Sequence, residues 1–226
     1  MAKQSSRPKP LIPEYWMSYS DMMSALLLLF ALFLLLLLYD YNAELRAKEN
    51  EIERLLSLRS DIILALSEAF EGSNLAVSVD PQTGAIRFDG GVFFDFDSTE
   101  ITEIGREYLE RFVPQYVSIL LSDRFVEHIA QIIVEGHTDQ VGSFLYNLDL
   151  SQRRAYAVVE TILSDDFIEF DGKERLRDLL TANGRSWTQP LMENGEPDWE
   201  RSRRVEFKFQ LKDDELMRQI GEVLAR

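Results

Sequence analysis

Between Tyr15 and Tyr39 the chain runs for 25 residues with a single charged side chain, Asp21. A stretch of ~20 apolar residues crosses the hydrocarbon core of a bilayer as a helix, so this run reads as one transmembrane span. A carboxylate inside such a span costs at least about 2.5–3.5 kcal/mol, so it is seldom kept without a use. Two readings are open from the residues alone. Asp21 carries an ion while facing the interior of a helix bundle, or it sits at headgroup level about one turn beyond Tyr15 and Trp16. Met17, Ser20, Asp21, Ser24 and Ala25 recur at i, i+3, i+4, i+7 and i+8, one stripe of small and polar groups on an otherwise leucine-rich helix. Such a stripe packs against other membrane helices, and a lone helix cannot shield an aspartate, so an integral membrane partner is expected.

The flanks set the orientation. Lys3, Arg7 and Lys9 precede the span against Glu14, whereas Asp40 and Glu44 follow it. The positive-inside rule places the N-terminus in the cytoplasm and everything after Tyr39 outside. A cleaved signal peptide is the competing reading. The run is too long, and no small-residue cleavage site follows Leu38, so a retained inner-membrane anchor is favoured. The net charge of −15 argues against direct nucleic-acid binding. With no cysteine and only His128 and His137, the sequence offers no thiolate site and no metal-ligand spacing. It also lacks a nucleophile–base pattern, so an enzyme is not expected.

Residues 1–14 form a polar, proline-containing tail, residues 15–39 the span, residues 40–72 a helical neck, and residues 73–226 the outer domain. In the neck, Leu45, Glu49, Ile52, Leu56, Arg59, Ile63, Leu66 and Phe70 are spaced alternately by four and three, and six of the eight are apolar. This predicts a short coiled coil with a second copy, the alternative being a helix docked on the chain's own domain. Gly72 and Ser73 end the neck. Strands are expected at 75–79, 85–88, 129–134 and 205–211, and helices at 104–121 (with a kink or break at Pro114), 152–163 capped by Ser151, 173–181 and 214–224. Residues 182–200 read as a polar loop. Helices interleaved with strands give an α/β sandwich with a mixed sheet.

Asp139 just past a strand, Arg153 and Arg154 in the first turn of the helix capped by Ser151, and Arg203 and Arg204 before the last strand are the candidate site of the outer domain. A carboxylate beside a guanidinium can hold a zwitterion, the carboxylate taking an ammonium and the forked guanidinium a carboxylate. A structural ion pair between loops fits the spacing equally well. Three ordered segments, Gly136-His137-Thr138-Asp139-Gln140-Val141-Gly142-Ser143, Tyr146-Asn147-Leu148-Asp149-Leu150-Ser151-Gln152-Arg153-Arg154-Ala155 and Arg203-Arg204-Val205-Glu206, resemble the OmpA-like peptidoglycan-binding domain over roughly residues 75–212. Phe94-Asp95-Phe96-Asp97-Ser98 looks like the family's opening strand. The resemblance implies that Asp139 and Arg154 bind the diaminopimelate of a peptide stem, with Asn147, Thr138 and Arg204 in support and His137 as packing or rim.

Trp16-x-x-Tyr19-x-Asp21-Met22-Met23-x-Ala25 is similar to the transmembrane signature of MotB-type stator subunits, whose Asp carries the coupling ion. That resemblance implies Asp21 as the ion carrier, with Tyr19, Ser20 and Ser24 supporting the path. The ion is a proton, with sodium as the alternative, and no cofactor is implied. It further implies a homodimer inside a pentameric MotA-like (ZorA-like) ring, two chains to five. A neck without a long linker, and the ending Ser202-Arg203-Arg204-Val205-Glu206-Phe207-Lys208-Phe209, look most like the ZorB-type subunits of the Zorya anti-phage defence system. A flagellar-type stator subunit and a passive membrane-to-wall tether are the alternatives.

Overall fold

The computed structural model describes residues 15–70, 75 and 77–214 and divides the chain into two units, Met1–Glu53 and Arg54–Arg226. The expected tail at 1–14, the helix stop at Gly72 and Ser73 and most of the closing helix at 214–224 lie outside the described residues. One helix, α1 (Tyr15–Phe70), supplies the described part of the first unit and opens the second. It is the one helix, among the described residues, long and apolar enough to cross a membrane. In the first unit nearly all of its described side chains are exposed.

The second unit begins with the remainder of α1, and here the neck departs from the expected pairing. Ile62 and Leu66 are completely buried and Phe70 nearly so, all in the unit's own core, where Phe70 lies 5.1 Å from the ring of Phe112. The docked-helix alternative therefore holds for this part of the neck. Arg59 pairs with Asp214 and stacks over Phe209, and Asp61 pairs with Arg124. Leu66 and Phe70 are thus removed from any seam with a second copy, while Leu45 and Leu56 stay exposed.

The elements then follow as β1 (Val77–Val79), β2 (Ile86–Asp89), α2 (Gly90–Phe93), α3 (Glu103–Leu120), β3 (Ile129–Gly136), α4 (Phe144–Leu163), α5 (Lys173–Leu179), β4 (Leu180–Gly184), β5 (Leu191–Glu193), β6 (Glu196–Asp198), α6 (Trp199–Ser202) and β7 (Arg204–Leu211). Five strands form one mixed sheet in the order β1-β2-β7-β3-β4, in which only β3 and β4 run parallel. The helix expected at 173–181 gives way at Leu180 to β4, so the expected polar loop at 182–200 begins with the end of that strand and then holds a separate β5–β6 hairpin. Alternation along β7 turns Val205, Phe207 and Phe209 into the core, where Phe207 meets Phe88, Phe112 and Tyr116 edge-on at 4.9–6.0 Å. Pro114 sits inside α3 without ending it, and Thr102 caps that helix by accepting from the Gly105 amide.

Two local expectations are corrected. The helix expected from residue 152 starts at Phe144, capped by Ser143, whose hydroxyl accepts from the Tyr146 amide. Ser151 is instead buried mid-helix against the register partners Gly136 and Gly184. A Cβ on Gly136 would lie 2.2 Å from the Ser151 carbonyl oxygen, and one on Gly184 would lie 2.7 Å from Ser151 Oγ. The two glycines let α4 settle directly onto β3 and β4, and Ser151 Oγ accepts from the Ser186 amide at 3.0 Å. The segment 94–98 is not a strand. Only Phe94 makes a bridge, to Ile101, and Asp97 adopts a left-handed φ of 57°.

Candidate functional site

The end of β3, the loop into α4, the segment after α2 and the residue before β7 meet around a cleft of about 570 Å³. Asp139 lies three residues past β3. Its Oδ1 accepts from the Val141 amide at 2.9 Å, and its Oδ2 is 3.3 Å from Arg203 Nη1. Arg154 reaches the cleft from the third turn of α4, not from a first turn, so the free amides of the helix N-terminus do not lie beside it. Its Nε donates to Ser98 O at 2.9 Å, its Nη2 to Asp95 O at 3.4 Å, and its guanidinium lies 5.1 Å from the Phe94 ring centroid. Burial draws this guanidinium below its ordinary pKa, while Asp97 and Tyr146 pull it back up.

Asn147 is buried and donates to Val141 O at 2.8 Å and Ser143 O at 3.3 Å, tying the Asp139 loop to α4. Thr138, a residue of the cleft lining, is anchored by its amide on Ser186 O, and its buried hydroxyl has no hydrogen-bond partner among the described residues. A buried hydroxyl without a partner favours a ligand that supplies one. Tyr146 donates its hydroxyl to Asp97 across the mouth. The structure therefore brings Asp139, Arg154, Asn147 and Thr138 into one site. It does not bring Arg204, which is turned away beneath the sheet. Of the two candidate arginines before the last strand, Arg203 joins Arg154 at the cleft, whereas the resemblance had pointed to Arg204; neighbours in sequence, they face opposite sides of a strand end.

In the first unit, Ser20, Asp21 and Ser24 lie on one face of α1. Ser24 Oγ donates to Ser20 O at 2.8 Å, so its proton is spent on the backbone and only its oxygen faces outward as an acceptor.

The OmpA family model matches residues 93–204, from the end of α2 to the start of β7. The chain is 30% identical over 206 residues to the Zorya protein ZorB of Escherichia coli O139:H28, covering 87% of this chain and 80% of that one. This chain belongs to the ZorB family. A second ZorB, from Escherichia coli ATCC 8739, is 28% identical, with 86% and 87% covered. Among solved structures, a putative MotB-like protein from Desulfovibrio vulgaris superposes with a TM-score of 0.48 at 20% identity, covering 72% of this chain and 94% of that one.

Beneath the cleft, this ZorB-family chain buries a charge network on the sheet face opposite the core. Arg87 on β2, Glu206 on β7 and Glu135 on β3 are lateral register neighbours. Glu206 takes Arg204 at 2.6 Å, Lys208 at 2.8 Å and Arg87 at 3.0 Å, and Glu135 takes Arg185 and Lys208 at 2.5 Å each. His137 is buried 3.7 Å from a carboxylate oxygen of each glutamate. Glu135, His137 and Glu206 offer ligand atoms within 4.8 Å of one another, a juxtaposition the sequence spacing did not reveal. Four cations, Arg87, Arg185, Arg204 and Lys208, already surround the two glutamates, so the cluster is an ion network with cations in excess, and a further cation would be repelled.

The network makes the fold sensitive to acid. Burial pushes both carboxyls up, but Arg204 and Lys208 outweigh it for Glu206 and hold it at about 2. His137, Arg185 and Lys208 hold Glu135 well below the usual carboxylate range. Burial pushes the His137 imidazole down, aided by Arg204 and Lys208 and opposed by the two glutamates. Depressed folded-state values add stability above the unfolded-state pKa that is lost as pH falls. Stability should therefore begin to drop below about pH 6.5 through His137, and fall further from about pH 4.3 toward 2 through the glutamates. Urea midpoints of the full chain between pH 7 and 3 measure this. The drop should be shallower in Glu206→Gln, and an unchanged slope would show that the network does not govern it.

Proposed function

We propose that this chain is the B subunit of an inner-membrane, proton-driven rotary motor anchored to peptidoglycan and serving Zorya anti-phage defence. The observation that carries the reading is that one ZorB-family chain holds both a membrane-type stretch, residues 15–39, with a lone carboxylate, Asp21, and a cleft that pairs a carboxylate, Asp139, with guanidiniums at Arg154 and Arg203. In this reading the cleft takes the zwitterionic end of a diaminopimelate in the peptide stem. Asp139 binds its ammonium, Arg154 binds its carboxylate, and the Thr138 hydroxyl supplies a further contact. Asn147 positions the loop. The interaction is binding alone, with no wall hydrolysis expected from the purified chain.

In the membrane, Asp21 takes a proton from the outside, loses its charge, lets a surrounding ring of five MotA-like (ZorA-like) subunits step, and releases the proton to the cytoplasm. Ser20, Ser24 and Tyr19 line its path. Two copies sit inside the ring, paired through the span and the exposed Leu45 and Leu56, with N-termini cytoplasmic and the OmpA-like domain periplasmic. Sodium in place of the proton would suit the same oxygen ligands.

Pelleting of the full-length, detergent-solubilised chain with purified sacculi tests the anchor. Asp139→Ala should weaken binding by roughly 30-fold or more, the scale set by truncating one partner of a desolvated charge pair. Free diaminopimelate should compete. Binding that survives both would remove the cleft from wall recognition.

A further inference from the structure

A second groove, of about 550 Å³, lies beside the first, and neither the proposed anchor nor the motor cycle uses it. It runs between the start of α3 and an exposed face of α4. The two grooves share a wall: residues 94–97 line the Asp139 cleft and residues 99–102 line the second groove. Arg154 pins that wall through Ser98 O, and its neighbour Arg153 lines the other side.

The charges in this groove favour an uncharged, hydroxyl-rich occupant. Glu100, Glu103 and Glu160 face Arg106 and Arg153, so an anion meets three carboxylates and a cation meets two guanidiniums. A neutral sugar can use both kinds of group, donating hydroxyls to the one and accepting from the other. Arg153 is already held by Asp149 at 2.8 Å and Arg106 by Glu110 at 3.2 Å, which damps the field further. Tyr156 is more than half exposed, and its hydroxyl lies 3.3 Å from Glu160 Oε1. It presents a flat apolar ring with a hydrogen-bonding edge, the combination that suits one face of a pyranose.

We propose that this groove is a glycan subsite, taking a neutral N-acetylhexosamine unit of the same polymer whose peptide stem enters the Asp139–Arg154 cleft. The inference rests on that reading of the cleft, because stem and sugar are covalently joined and the two grooves are adjacent. Together they would read a muramyl peptide across its amide junction and so distinguish intact wall from free stem peptide.

Calorimetric titration of the full-length chain in detergent tests this with two probes. One is a diaminopimelate-containing tripeptide, and the other is the same tripeptide amide-linked to an N-acetylglucosaminyl-N-acetylmuramyl disaccharide. The disaccharide-peptide should bind at least about fivefold more tightly, the scale of a well-placed tyrosine contact. Tyr156→Ala should erase that increment while leaving tripeptide affinity unchanged, and Tyr156→Phe should restore most of it. Equal affinity for both probes, or an increment that survives Tyr156→Ala, overturns the subsite. Disaccharide-peptide binding that depends on Tyr156, with no tripeptide binding, supports the groove and removes the Asp139 cleft as the stem site. Failure of both probes overturns both.

Discussion

Asp21→Asn should abolish phage protection in cells carrying the whole native locus, at membrane levels equal to wild type. The amide matches the carboxyl in shape and keeps hydrogen-bonding capacity, so helix packing survives while the group can no longer take up and release a proton. Asparagine is also cheaper to hold in hydrocarbon than aspartate, so any loss cannot be assigned to failed insertion. The effect should be complete, with plating efficiency returning to that of cells without the locus, because α1 carries no other acidic residue between Tyr15 and Tyr39. Asp21→Glu, which keeps the titrating group but moves it by one methylene, should retain part of the protection. Protection retained in Asp21→Asn would sink the motor and leave a passive tether. If wild type gives no protection either, the same pair should be compared for swimming, which tests the flagellar alternative.

Ser20, Asp21 and Ser24 interrupt an otherwise leucine-rich stretch, so this polar stripe stands out in the sequence at once. A bilayer imposes one rule on composition, and a single violation is conspicuous. The outer unit was legible wherever periodicity was clean, as in α3 and in the alternation of β7. It failed where two local signals competed. Ser143 and Ser151 are both good caps by type, and the choice between them was made by distant residues, since Gly136 and Gly184 receive Ser151 face-on. Phe94-Asp95-Phe96-Asp97 alternates like a strand, yet Phe96 is 99% exposed and Asp97 turns left-handed, held by Tyr146 from α4. In the neck, the last positions of a heptad-like pattern, Leu66 and Phe70, served the chain's own core. Spacing alone records that a face is apolar, not what covers it.

The two adjacent arginines before and at the start of β7 should separate binding from stability. Arg204 is 5% exposed and holds Glu206 at 2.6 Å, while also donating to Ser202 O at 3.2 Å and Gln189 O at 3.1 Å. Removing it strips one cation from a buried carboxylate and leaves two carbonyls without their donor. Breaking such a pair costs about 3–5 kcal/mol. Arg87 and Lys208 remain on Glu206, so Arg204→Ala belongs near the lower end, about 3 kcal/mol. Arg203 is half-exposed, and its ion pair with Asp139 at 3.3 Å is partly open to water. Such pairs contribute about 0–1 kcal/mol, so Arg203→Ala should leave stability nearly unchanged. It should nonetheless weaken sacculus binding, because it removes a guanidinium from the cleft and frees Asp139 to move. Urea unfolding of the full chain followed by tryptophan fluorescence, together with sacculus pelleting below the unfolding midpoint, measures both effects. If Arg204→Ala kept the wild-type unfolding midpoint but lost binding, and Arg203→Ala kept both, the ligand contact would belong to Arg204. The cleft is lined by Arg203 and not by Arg204, since β7 turns Val205, Phe207 and Phe209 into the core and leaves Arg204 on the opposite face with Glu206 and Lys208.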